Sequence, residues 1–185
     1  KNLKKYITRL FVFAFVSHFA YCFAFGINYL PFATGNVFNQ TSIMWSLAFA
    51  VVALYVTNKT ELEKWKQVLI VILICVVTFS ADWSCIAVMA ILSMYSNRGN
   101  LKKQFMSMYF WITIYAVVSF LFVDRTYGVI TLATALVYPL LKKYSGERGN
   151  AKWLKWFFYA YYPLHLFAIG VLRILMYGNV PLLFN

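Results

Sequence analysis

Apolar residues run through this chain in seven long stretches, broken by short polar connections. The stretches are about Tyr6–Phe25, Phe38–Val56, Trp65–Phe79, Trp83–Tyr95, Phe105–Val123, Tyr127–Leu141 and Trp153–Tyr177. An unclosed chain in lipid must satisfy its backbone within each segment, so each stretch predicts a helix. A bilayer crossing takes about 20 apolar residues. The third, fourth and sixth stretches are shorter. The fourth, as a helix, covers only about 20 Å at 1.5 Å per residue. It is expected either to be re-entrant or to sit where protein rather than lipid surrounds it. The predicted fold class is all-α, a polytopic helical bundle of about seven transmembrane segments forming one transmembrane domain over 1–185.

Composition agrees with this pattern. Of 185 residues, 63% are hydrophobic and only 12% charged, with a mean hydropathy of +0.70. A soluble domain of this size lacks the core to bury that much apolar side chain. The formal charge is +12, but it comes in clusters between the apolar stretches. Fifteen of the 17 basic residues fall on alternate connections; Arg125 and Arg173 lie toward the other side. Lys and Arg mark cytoplasmic connections. The expected topology is a cell-membrane protein with a cytoplasmic amino end and an extracytoplasmic carboxyl end. The expected surrounding is the lipid bilayer, and the clustering argues against nucleic acid as a partner. The chain opens on the basic foot of an apolar stretch without a methionine, which reads as a processed chain or the later part of a longer one.

The absences narrow the chemistry. The sequence has no GxGxxG, P-loop, HExxH or GxSxG motif, and Cys22, Cys75 and Cys85 show no metal-binding spacing. No metal is expected. Ionisable groups at membrane depth are therefore the candidates. His165 lies about halfway along the last stretch, two residues after Pro163. Proline removes an amide donor and frees the carbonyl of Tyr159, which predicts a kink. Tyr161 and Tyr162 precede His165 by four and three residues and share its face. The imidazole reads either as a proton-transfer group or as polar glue between helices. Arg173, two turns further, either snorkels to the outer surface or pairs with Asp82 or Asp124. Asp82 is a capping or solvated carboxylate, or a functional one. Asp124 and Arg125 read as a solvated turn, and His18 leans to a structural role.

The last stretch carries a resemblance. "KWLKWFFYAYYPLHL" looks like the C-terminal motif of the TraX family, a lysine-aromatic run ending in Phe-Tyr-x-x-Tyr-Pro-x-His-Leu. "YSGERG", Tyr144 to Gly149, resembles the family's Tyr-Asn-Gly-x-Arg-Gly element, with Ser145 in place of asparagine. "NLKKYITRL" is similar to its Asn-x-x-x-Tyr-x-x-Arg-Leu stretch. Asn36, Val37 and a shifted Thr41 resemble its Asn-Val-x-x-Thr segment. "ADWSCIAVM" resembles its Asp-aromatic-Gly motif through Asp82 and Trp83; Ser84 stands in place of the glycine, and Ala87 where a second glycine is usual.

The resemblance implies a membrane acyltransferase that moves an acetyl group from acetyl-CoA to an amine or hydroxyl of an exported acceptor such as pilin. It also implies two further helices before Lys1, one carrying an Asp-His motif. On that reading His165, Asp82, Tyr161 and Tyr162 are catalytic. Arg148, Lys143 and Lys152 hold the phosphates of coenzyme A, or serve topology alone. Arg173 and Asn36 contact the acceptor. The alternative is a non-catalytic membrane scaffold or export subunit.

Overall fold

The apolar stretches become helices close to where the pattern puts them. In this computed structural model the described residues are 3–33, 37–143 and 152–178, without the side chains of Lys59, Lys152 and Lys155. The helices are α1 (Leu3–Phe25), α2 (Ile43–Lys59), α3 (Lys64–Thr78), α4 (Ser84–Ser96), α5 (Leu101–Phe122), α6 (Arg125–Thr131), α7 (Val137–Lys143) and α8 (Lys152–Tyr177). Among the described residues no β-strand forms, and the protein is all-α as expected. Three helical stretches are long and apolar enough to cross a membrane: Leu3–Phe25, Leu101–Phe122 and Trp156–Tyr177. The apolar stretches Ile43–Asn58 and Ser84–Ser96 form shorter helices.

The sixth stretch departs from the pattern. It is not one helix but α6, a 3-10 turn over Leu132–Leu136, and α7. Two threonines explain the break. Thr131 Oγ1 donates to the Tyr127 carbonyl at 2.8 Å, and Thr134 Oγ1 donates to the Thr131 carbonyl at 2.8 Å. Such side-chain bonds compete with the regular ladder and bend or tighten a helix.

The ends of other helices follow local chemistry. The Asn100 side chain accepts from the Lys103 amide at 3.0 Å and starts α5. Asp124 Oδ1 accepts from the Tyr127 amide at 2.7 Å and starts α6. These are ordinary N-caps, so Asp124 has a local structural use. Helix α1 ends at Gly26, whose φ of +65° suits a residue without a Cβ. The Ile27 amide then reaches back to the Cys22 carbonyl at 3.1 Å, the bond of a Schellman ending.

The chain folds as two compact units. One contains Lys1–Ser84 and Asn150–Asn185, the other Cys85–Gly149. In the first, α1 packs against both α8 and α2, and α2 packs against α3. The contacts use small residues. Ala14 and Cys22 on α1, and Ala48, Ala50 and Ala53 on α2, are fully buried. Small side chains let helix backbones approach closely, which is how helices gain packing energy in lipid. The α1–α8 seam is aromatic: Phe13 meets Tyr159 edge-on at 5.1 Å, and Phe23 stacks on Phe167 at 4.9 Å. The opposite side of α8 leaves Leu164, Leu172 and Leu175 exposed, as a lipid-facing helix would.

The second unit is joined by polar links and one close crossing. Trp111 Nε1 donates to Ser93 Oγ at 2.8 Å, and Asn97 Nδ2 donates to Ser107 Oγ at 2.8 Å, tying α4 to α5. Gly128 lets α6 lie directly on α5.

Candidate functional site

The polar groups of the first unit gather where α1, α8, the start of α2 and the connection after α3 come together. Helix α8 runs through Pro163 without a break. His165, at the middle of the helix, is half-buried. Its ring stacks on Tyr161 at 5.2 Å and 19°, and meets Tyr162 edge-on at 5.2 Å. Its Nδ1 lies 3.1 Å from the Tyr161 carbonyl. A carbonyl only accepts, so Nδ1 carries the proton. In the neutral ring the lone pair is then on Nε2. Nε2 has no hydrogen-bond partner among the described residues.

Among the described residues the His165 ring makes its hydrogen bond and ring contacts within α8. The imidazole is oriented by its own helix and keeps its basic nitrogen open.

Asp82 enters from the connection after α3. That connection is pinned to the start of α2 by a parallel bridge between Thr41 and Ala81. The Gln40 amide donates to the Ser80 carbonyl, and the Asp82 amide donates to the Thr41 carbonyl, both at 2.8 Å. Trp83 and Ser84 then take φ of +64° and +50°. A bulky residue in the left-handed region is uncommon, and such positions concentrate at functional sites. Ser84 takes a left-handed conformation that glycine adopts without strain. The Asp82 carboxylate lies within electrostatic reach of the Tyr162 phenol. Ser42 lies beside the same phenol, but its buried Oγ makes no properly aligned hydrogen bond. Asp82, Tyr162 and His165 are thereby brought into one cluster.

His18 joins it from α1. Only 8% of its surface is exposed, and both ring nitrogens are engaged. Nε2 lies 2.9 Å from the Tyr29 carbonyl, and Nδ1 lies 2.9 Å from Thr41 Oγ1. The Tyr29 phenol, in the connection after α1, is held above its ordinary pKa, first by burial and then by the nearby Cys22 thiol. Thr41 carries no local sequence signal for this role, because its partner lies 23 residues away.

Arg173 has a third use beyond the two expected. Its guanidinium reaches the carboxyl end of α1: Nε donates to the Ala24 carbonyl at 3.0 Å and Nη2 to the Phe23 carbonyl at 3.3 Å. A cation there meets both the unpaired carbonyls and the negative end of the helix dipole. Arg173→Met should strand those carbonyls in an apolar setting at a cost of about 1–3 kcal/mol. Thermal unfolding in detergent should show the loss, and an unchanged midpoint would deny the cap.

Of the other expected residues, Tyr161 is exposed on α8, and Lys143 is exposed at the end of α7. Asn36, Arg148 and the Lys152 side chain lie outside the described residues. Among the described residues no group of three or more His, Cys, Asp or Glu is placed to hold a metal ion.

The family model described as TraX protein matches residues 1–173. Neither a curated protein nor a solved structure matches the chain.

Proposed function

This chain belongs to the TraX family, and from that premise we propose that it is a membrane-embedded acyltransferase. It moves an acetyl group from acetyl-CoA to an amine or hydroxyl of an exported acceptor such as pilin. The observation that supports this reading best is the state of His165: Nδ1–H held by the Tyr161 carbonyl, Nε2 open, at the middle of a membrane-length helix. An ionisable group at that depth is costly and is a functional candidate by default.

The chemistry is a direct transfer. Nε2 of His165 takes the proton of the acceptor as its nitrogen or oxygen attacks the thioester carbonyl. The C–S bond breaks, and the departing thiolate regains the proton from the imidazolium. General base catalysis of this kind contributes about 10²–10⁴-fold. The phenol of Tyr162 or Tyr161 donates to the oxyanion of the tetrahedral intermediate. Asp82, in the same cluster, supplies negative charge that steadies the imidazolium. Arg148, Lys143 and Lys152, on the basic connection before α8, supply cations for the phosphates of coenzyme A.

The topology serves this division. The connection before α8 faces the cytoplasm, where acetyl-CoA is made, and the carboxyl end faces outward. Cysteines placed at Ser145 and Asn179 should label from opposite sides of intact vesicles. Labelling of both from one side would overturn the orientation.

The function itself is tested by thiol release. Protein in liposomes should liberate free coenzyme A from acetyl-CoA only when a peptide amine or hydroxyl acceptor is present. Silence across a broad acceptor panel would favour the scaffold reading.

A further inference from the structure

The contacts of His18 contain a second set of reactive groups that the direct transfer does not use. We propose that Thr41 is a nucleophile, activated by His18, which carries the acyl group as a covalent ester between donor and acceptor. This rests on the acyltransferase reading and adds an intermediate to it.

The tautomer follows from the partners. The Tyr29 carbonyl can only accept, so His18 Nε2 is the donor in their 2.9 Å contact. In the neutral ring Nδ1 then holds the lone pair, and the Thr41 hydroxyl donates to it at 2.9 Å. This is the arrangement that activates a hydroxyl: a nucleophile bonded to a base, and the base oriented by a third group. Cys22 Sγ is a weaker candidate. It lies 3.7 Å from both ring nitrogens, farther than the Thr41 hydroxyl, and is fully buried. Thr41 is half-buried and can be reached.

Three neighbours suit the reaction. The Thr41 backbone is pinned by its carbonyl bond from the Asp82 amide. Thr41 stands just before α2, a 17-residue helix whose first amides and positive dipole end favour an oxyanion. Ser42 Oγ, fully buried beside Tyr162 without a partner, is a spare donor at the same place.

The step balances. His18 Nδ1 takes the Thr41 proton as Oγ1 attacks the carbonyl of an acyl thioester. The C–S bond breaks, and the thiolate leaves as thiol with that proton. The acceptor amine or hydroxyl then attacks the ester as His18 Nδ1 takes its proton. The C–O bond to Thr41 breaks and Oγ1 regains that proton from the His18 imidazolium. A relay means that the cytoplasmic donor and the outward-facing acceptor never need to occupy the bundle together.

The experiment needs no acceptor. An acyl-enzyme lets full-length protein exchange labelled coenzyme A into acetyl-CoA with no acceptor present; direct transfer does not. Wild type should exchange, Thr41→Ser should retain exchange, and Thr41→Val should fall to background. Acid quenching of wild type and peptide mapping should find the acetyl group on Thr41, which holds even if the valine variant folds poorly. Acceptor-dependent transfer without exchange or label would overturn the relay and leave direct transfer standing. If acetyl-CoA gives nothing but p-nitrophenyl acetate acetylates Thr41, the nucleophile stands and the coenzyme A donor falls. No label from either reagent would overturn the proposal.

Discussion

Replacing His165 with alanine should lower acyl transfer by roughly 100-fold or more while leaving the protein inserted and equally stable. The size is what a general base contributes. The unchanged stability follows from the geometry. The ring's hydrogen bond is to Tyr161, four residues back on the same helix. Removing it breaks no bond between helices. His165→Gln is the sharper variant, since glutamine keeps a hydrogen-bonding group of similar reach but takes no proton at neutral pH. If glutamine were as inactive as alanine, with thermal midpoints unchanged, proton transfer would be the role of the imidazole. If glutamine retained near-full activity, His165 would be structural. Both variants should be made in the longest natural form of the protein, so that any residues preceding Lys1 are present.

The largest effect on stability is expected at Gly128. A Cβ there would lie 2.7 Å from the Ala116 carbonyl oxygen, 2.7 Å from Phe120 Cβ and 2.8 Å from Phe120 Cα. Atoms of the α5 backbone cannot turn aside as a side chain can. Gly128→Ala must therefore push α6 off α5, and overpacking of this kind costs about 1–3 kcal/mol. Gly128→Val should cost more. Gly170 is the control. Its Cβ would meet mainly the Phe23 ring, with the Phe23 carbonyl oxygen at 3.0 Å. The ring can rotate, so Gly170→Ala should be the milder change. Thermal unfolding in the same detergent would rank the two, and an inverted order would contradict the crossing geometry.

How much could be foreseen varies with distance along the chain. The helices were legible because lipid allows the backbone few options, and apolar runs bounded by polar residues mark where each must start and stop. The face shared by Tyr161, Tyr162 and His165 was legible because it depends only on helical spacing. The division of the sixth stretch was harder. Its apolar content suits one helix, and the hydroxyls of Thr131 and Thr134 matter only through the carbonyls they reach.

The sequence by itself determined an all-α membrane protein, the approximate place of each apolar helix, and a histidine-tyrosine face on the last one. Only the tertiary structure decided what that face meets. It set Asp82 near Tyr162, joined His18 to Thr41, and gave Arg173 to carbonyls about 150 residues earlier at the end of α1. The reason is physical. Hydrogen bonds and charges act over a few ångströms, and periodicity says which residues share a helix face but not which other helix will lie against it.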